Sequence, residues 1–359
     1  MAGNVKTFTV GYNPINKEDF FTSGDRLTGQ VTLEMESDGK IQSITVKMKG
    51  KAEVKWTENY GKNSVTFHNK EKYFSIKQFI IPESHGNNAV VHGWHVYPFT
   101  FQIPAQELPS SFKASHGKIV YSLEANLSRP MRIDSKAKAH FTVFHRGNSI
   151  SDPALMTPQH NIIDKKLKLF ASGAVGMDVN IPQTGFKQGE GITVVAFIQN
   201  KSSRDINPKY CVYQKKSYFA KGKRRVETKD ILKEVGEAIP RSTSQSVTRI
   251  ITIPPTTQVS ILNCSILKVE YRLRVYLDVK YASDPEIKFP IIILPSLPGG
   301  EQPQPPEYSP YGFNAFGNPG MPGGSDFLQN PPAMNPYAPP PAYGSYALYP
   351  TLNGCDNKY

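Results

Sequence analysis

An internal repeat constrains the fold of this chain more than any other feature of its sequence. Two segments of the first half, TFQIP at residues 100–104 and YSLEANL at 121–127, recur 150 residues later as IITIP and YRLRVYL. The stretch GDRLTGQV at 24–31 is echoed by GEGITV at 189–194, at a slightly longer offset. This shared spacing predicts two copies of one β-sandwich, each of about 140 residues.

Apolar and polar residues alternate within the repeat. In residues 119–127 every second side chain is apolar, and in residues 271–279 Arg272, Arg274 and Asp278 lie opposite an apolar row. Such alternation is typical of antiparallel strands with one face in water. We therefore predict an all-β fold with two tandem antiparallel sandwich lobes. One segment, residues 227–238, has helical spacing, with a strand as the alternative.

The composition changes near residue 296. Residues 296–359 contain 14 Pro, 9 Gly and 7 Tyr among 64 residues, and almost no β-branched ones. Such a segment buries too little apolar surface to offset its ordering entropy, so we expect it to be disordered. The predicted organisation is a first lobe at 1–147, a linker at 148–165, a second lobe at 166–295 and a tail at 296–359.

The tail carries two Pro-Pro-x-Tyr sequences, whose tyrosines are 35 residues apart. Consecutive prolines favour the polyproline II conformation that fits the aromatic groove of a WW domain, and the Tyr fills a neighbouring pocket. A chain of this length spans roughly 30–35 Å on average, enough to engage tandem WW domains. Coincidence in a Pro- and Tyr-rich segment is the alternative. The predicted WW-binding residues are Pro305, Pro306, Tyr308, Pro340, Pro341 and Tyr343.

A second short pattern lies near the end of the tail. Tyr349 and Leu352, in YPTL, match the tyrosine-x-x-bulky sorting signal, in which the two side chains occupy separate pockets. A clathrin adaptor is the partner that this pattern suggests, and an unstructured spacer is the alternative.

The basic excess belongs to the folded part. The whole chain has a formal net charge of +12, whereas residues 296–359 contain one Lys and four acidic residues. A basic body favours anionic neighbours such as phosphorylated segments or the inner membrane leaflet, and no nucleic-acid motif is present. The densest stretch surrounds a predicted hairpin turn at Gly222; it is a possible anion-binding site, or simply a solvated turn. Its residues are Lys215, Lys216, Lys221, Lys223, Arg224 and Arg225.

Catalytic and metal-binding motifs are missing from the sequence. It has no Gly-rich phosphate loop and no Gly-x-Ser-x-Gly, so we expect neither an enzyme nor a cofactor. His92 and His95 lack further predicted ligands, so we expect no metal. Trp56 and Trp94 are predicted to anchor the core of the first lobe.

The compartment is predicted to be cytoplasmic. The first residues, MAGNVKTFTV, lack the features of a secretory signal, and no apolar run is long enough to span a bilayer. Three cysteines, Cys211, Cys264 and Cys355, form no disulfide framework.

The order of motifs along residues 1–295 resembles the arrestin-domain-containing proteins, or α-arrestins. The resemblance rests on matching residues in both lobes and on Pro-Pro-x-Tyr motifs after the second lobe. The matching residues of the first lobe are 108–112 (LPSSF), 117–121 (GKIVY), Ala125, 129–130 (RP) and 141–144 (FTVF). Those of the second lobe are 185–186 (GF), 189–190 (GE), 260–271 (SILNCSILKVEY) and 289–293 (FPIII).

The resemblance implies a trafficking adaptor. Such proteins hold a transmembrane receptor or transporter as cargo and recruit HECT-type ubiquitin ligases through WW domains. They promote cargo ubiquitination and endocytosis, peripherally at the plasma membrane and endosomes. One member regulates thioredoxin through a cysteine in the segment matching residues 236–245; this sequence has none there, so we do not expect that role. A structural coat or endosomal sorting subunit that recruits no ligase is the alternative.

Overall fold

The computed structural model describes residues 4–83, 88–145, 152–167, 173–279 and 283–296. All regular elements within these ranges are β-strands, so the all-β prediction is confirmed. Eleven strands form the first lobe. They are β1 (Val5–Tyr12), β2 (Phe20–Phe21), β3 (Arg26–Met35), β4 (Gly39–Ile41), β5 (Ser43–Tyr60), β6 (Asn63–Ile81), β7 (Asn88–Val90), β8 (Gly93–Gln102), β9 (Phe112–Lys113), β10 (Gly117–Arg129) and β11 (Arg132–Val143).

Nine strands form the second lobe. They are β12 (Gln159–Leu167), β13 (Gly173–Ile181), β14 (Gly185–Lys187), β15 (Gly191–Ser202), β16 (Asn207–Ala220), β17 (Lys223–Val235), β18 (Thr243–Thr252), β19 (Leu267–Asp278) and β20 (Glu286–Leu294). Strand β12 begins inside the predicted linker at 148–165. Its residues pair antiparallel with β13 and extend the sheet.

Each lobe is built on two facing sheets with corresponding strand orders, and the second lobe has one additional edge strand, β12. In the first lobe, the sheets run β1-β3-β8 and β2-β11-β10-β5-β6, with β9 beside β10 and a small β4-β7 pair. In the second lobe, they run β12-β13-β15-β18 and β14-β20-β19-β16-β17. The two short parallel pairings, β2 with β11 and β14 with β20, occupy matching places. The repeat in the sequence is therefore a repeat of the fold.

The core lies between the sheets, where the alternation places apolar side chains. Ile119, Tyr121 and Leu123 on β10 are at most 1% exposed, and their counterparts on β19 are equally buried. The buried phenol of Tyr121 donates to the carbonyl of Pro109 at 2.7 Å, which satisfies its polar end.

The helical prediction for residues 227–238 is wrong, because this stretch belongs largely to β17. The register of β17 against β16 shifts between Val212 and Tyr213, whose partners are Leu232 and Asp230. Ile231 is thus the extra residue of a β-bulge, and it packs partly buried beside Leu232. The bulge places the adjacent apolar residues Ile231 and Leu232 on the same side of the strand, and in the sequence this spacing resembles that of an amphipathic helix.

The two tryptophans differ in burial. Trp56 is buried as predicted and stacks on Phe67, with ring centroids 5.2 Å apart. The prediction for Trp94 is wrong, since this side chain is 62% exposed. On β8 the inward positions are held by Phe99 and Phe101, so strand alternation turns Trp94 to the outer face.

Candidate functional site

The tail motifs lie outside the described residues. This applies to both predicted WW-binding sequences, to the possible sorting signal at Tyr349 and Leu352, and to Cys355. The anion-binding stretch of the second lobe, in contrast, is fully described.

A tight hairpin presents this stretch. Strands β16 and β17 are joined by Lys221 and Gly222, whose φ angles are +50° and +71°. Two consecutive positive φ values are typical of the turn that matches strand twist, and Gly adopts such values without steric cost. The predicted turn at Gly222 is therefore present.

The six basic side chains are divided between the two faces of the hairpin, and Lys215 and Arg224 lie near the same carboxylate, that of Glu270. Lys215 and Lys216 point to opposite faces of β16, since neighbours in a strand alternate. Lys215 lies 3.6 Å from Glu270, and Arg224 donates to the Ser217 hydroxyl at 2.9 Å.

The hairpin tip faces the first lobe. Lys221 Nζ donates to the backbone carbonyl of Thr66 at 3.2 Å. Hydrogen bonds from Tyr60 and Trp56 lower the pKa of the nearby Glu58, and Lys223 and Arg225 add to this effect through their charge. The tip is thus partly engaged within the molecule.

A second basic surface, which sequence reasoning missed, covers the outer face of the first lobe. Strand register aligns Lys138, Glu124, Lys47 and Lys77 in one row across β11, β10, β5 and β6. We call this surface the lysine groove; its volume is ≈ 610 Å³. Its charged residues are Lys47, Lys49, Lys77, Lys136, Lys138, Glu124 and Asp134.

Cations outnumber carboxylates in the lysine groove. Burial alone would raise the pKa of Glu124, but a hydrogen bond from Lys49 and the charge of Lys138 outweigh it and lower the pKa. No acidic side chain within the described ranges lies in ion-pair distance of Lys47, Lys77 or Lys136. Lys77 Nζ instead lies 4.3 Å from the centroid of the Phe79 ring. Three ammonium groups with no carboxylate partner in the described ranges are a favourable environment for an anion.

The same sheet carries a further basic cluster around Glu53. Its carboxylate lies 3.0 Å from His68 and 3.2 Å from Lys51, with Lys70 and Lys118 within 3.8 Å. Burial opposes ionisation of Glu53, but the hydrogen bonds from His68 and Lys51 prevail and hold its pKa at about 2. The signal for this basic face was present in the sequence as lysines at alternate positions, 47, 49 and 51, then 136 and 138.

The described part of the chain offers no metal site: it contains no group of three or more His, Cys, Asp or Glu side chains suited to a metal ion. His95 instead lies 2.8 Å from the carbonyl of Val91. The same part contains no helix of the length and hydrophobicity that a membrane span requires.

Comparison with known proteins agrees with this architecture. The family model for the arrestin (or S-antigen) N-terminal domain matches residues 8–149, and that for the C-terminal domain matches residues 171–298. Together they cover most of the chain.

Individual relatives match this chain over a similar range of residues. Mouse arrestin domain-containing protein 4 is 28% identical over 302 residues, covering 81% of this chain and 72% of that protein. The human protein of the same name is 27% identical over the same extent. Rat thioredoxin-interacting protein is 28% identical over 305 residues, covering 82% of this chain and 75% of that protein. The two sandwich lobes match the N-terminal and the C-terminal arrestin domain, in that order along the chain. This chain therefore belongs to the α-arrestin family of arrestin-domain-containing proteins.

Proposed function

We propose that this chain is a trafficking adaptor that brings a WW-domain HECT ubiquitin ligase to membrane cargo. The observation that carries the proposal is the coexistence of two arrestin lobes with two Pro-Pro-x-Tyr motifs in the following 64 residues. The lobes hold the cargo, a receptor or transporter. The tail holds the ligase, and the raised local concentration promotes ubiquitin transfer, endocytosis and sorting.

The basic surfaces support a location at membranes. Cytoplasmic leaflets are anionic, and each Lys or Arg near the surface contributes about 1 kcal/mol of attraction. We propose that the lysine groove and the exposed cations of the β16–β17 hairpin face anionic groups of the leaflet or cargo at the plasma membrane and endosomes. Tyr349 and Leu352 would add a contact with a clathrin adaptor.

Thioredoxin regulation is not part of the proposal, although thioredoxin-interacting protein is a relative. Residues 236–245 contain no cysteine. Both cysteines in the described ranges are buried, and burial raises the pKa of the Cys211 thiol to about 11 and also raises that of Cys264. Neither thiol has the reactivity of an accessible thiolate.

Reconstituted ubiquitination tests the proposal. The full-length chain, a WW-domain HECT ligase, its E2 enzyme and ubiquitin are combined, and ubiquitin on the chain's own lysines is quantified. We expect modification to fall to background when Tyr308 and Tyr343 are both changed to Ala. Tyr337→Ala, which follows a single proline in the same tail, is the matched control and should behave as wild type. Unchanged modification of the double variant would refute motif-dependent recruitment and favour the coat-subunit alternative.

A further inference from the structure

Glu71 and Glu227 occupy equivalent positions in the two lobes. In the first lobe, strand register aligns Ile119 on β10 with Ala52 on β5 and Glu71 on β6. In the second, it aligns Val269 on β19 with Lys216 on β16 and Glu227 on β17. Since Val269 is the repeat counterpart of Ile119, the two carboxylates are related by the internal repeat.

Each of these carboxylates contacts the opposite lobe. Glu71 accepts hydrogen bonds from Ser265 of the second lobe, through its backbone N–H at 3.0 Å and its hydroxyl at 2.9 Å. The Cys264 thiol lies 3.5 Å from the same oxygen.

Glu227 makes the reciprocal contact with the first lobe. The Ser115 hydroxyl lies 3.0 Å from both of its oxygens, and His116 Nε2 lies 3.1 Å from Oε1. Tyr218, from its own lobe, donates to Oε2 at 3.0 Å. Ser115 and Ser265 are themselves repeat counterparts, 150 residues apart, each four residues before Ile119 and Val269.

We propose that Glu71 and Glu227 form a reciprocal clasp that fixes the relative orientation of the lobes, and that negative charge on either serine loop opens it. Hydrogen bonds to a carboxylate are stronger than neutral ones, and each arm joins a strand of one lobe to a loop of the other. Both serines are exposed, so charge can be placed on them without disturbing a core. A carboxylate facing Glu71 or Glu227 replaces attraction with repulsion.

The clasp is asymmetric. His116 contributes a further polar contact to the Glu227 arm, whereas its counterpart beside the Glu71 arm is Ile266, an apolar residue. The Glu71 arm has the Ser265 backbone N–H and the Cys264 thiol instead. The two arms therefore hold their carboxylates with different partners.

Spin-label distance measurements on the full chain test the clasp. Labels on Met131→Cys and Thr248→Cys, both exposed, report one lobe each, with Cys355→Ser preventing a third label. The variants are Glu71→Gln, Glu227→Gln, their combination, Ser115→Asp and Ser265→Asp. The control is Glu34→Gln, since Glu34 bonds Lys6 and Thr7 within the first lobe.

We expect the distance distribution to broaden in the double Gln variant and in both Asp variants, and to match wild type in the control. Exchange of the Ser265 amide hydrogen should quicken about tenfold or more in Glu71→Gln, as loss of a charge-assisted hydrogen bond implies. If a charged variant folds poorly, the test can use Ser115→Ala and Ser265→Ala, which add no charge. The variant that combines both Ala substitutions should broaden the distance distribution less than the Asp variants do. An unchanged distribution in the double Gln variant, or equal broadening in the control, would overturn the proposal.

Discussion

Gly117 of the first lobe lies against Leu267 of the second, its counterpart in the repeat. A Cβ atom on Gly117 would come within 2.5 Å of Leu267 Cδ1 and 3.0 Å of the Tyr218 ring. Leu267 is fully buried, so it has little room to move. The lobes are therefore in close contact at a position where the sequence provides a residue without a side chain.

Gly117→Ala should destabilise the chain by about 1–3 kcal/mol, the usual cost of overpacking a filled interior. Chemical denaturation measures this cost. In a Leu267→Ala background the same substitution should cost less, because the clashing methyl group is gone. Equal costs in both backgrounds would mean that the contact between the lobes is not what excludes a side chain at 117.

Acid should weaken the first lobe through Glu53. Its folded pKa of about 2 lies below the ordinary value of 4.5, so its stabilisation is complete above about pH 4.5 and is lost as the pH falls toward 2. Glu53→Gln should therefore lower the unfolding free energy by about 1–3 kcal/mol at pH 7, and by much less near pH 2.5. Melting curves at both pH values check this prediction, and a deficit that does not depend on pH would contradict it.

Binding to anionic vesicles should depend on the lysine groove. Changing Lys47, Lys77 and Lys136 to Gln removes three charges without breaking an ion pair of the described structure, and should weaken binding about 10- to 100-fold. The matched control changes three exposed lysines outside the groove, Lys17, Lys40 and Lys187.

Vesicle sedimentation distinguishes these variants. If both lose affinity equally, net charge alone explains the attraction and the groove has no special role. A third variant, with the six hairpin residues changed to Ser or Gln, measures the hairpin's share. Unchanged binding of that variant would eliminate the hairpin as an anion site.

The two tryptophans should respond differently to truncation. Trp56→Ala should cost about 3–5 kcal/mol of stability, because it removes a buried ring stacked on Phe67. Trp94→Ala should cost less than about 1 kcal/mol, because the ring is mostly exposed. Thermal unfolding of both variants checks this. A large loss in Trp94→Ala would show that its exposed ring stabilises the lobe.

The strands and the duplication could be predicted from sequence because both depend on local alternation and on spacing. The β17 bulge could not, since Ile231 and Leu232 are adjacent for a reason that only the register with β16 explains. The lysine groove was missed for a similar reason. Lys47, Lys77 and Lys138 are far apart in the chain, and strand pairing alone brings them into one row.

The most direct test of the adaptor account is a calorimetric titration of the full-length chain with a tandem WW-domain fragment. We predict micromolar binding that weakens in Tyr308→Ala and in Tyr343→Ala, vanishes when both are changed, and is unaffected by Tyr337→Ala. Stepwise loss would show that both motifs bind the fragment, with avidity between them. Binding that persists in the double variant, or no binding by the wild-type chain, would contradict ligase recruitment through these motifs.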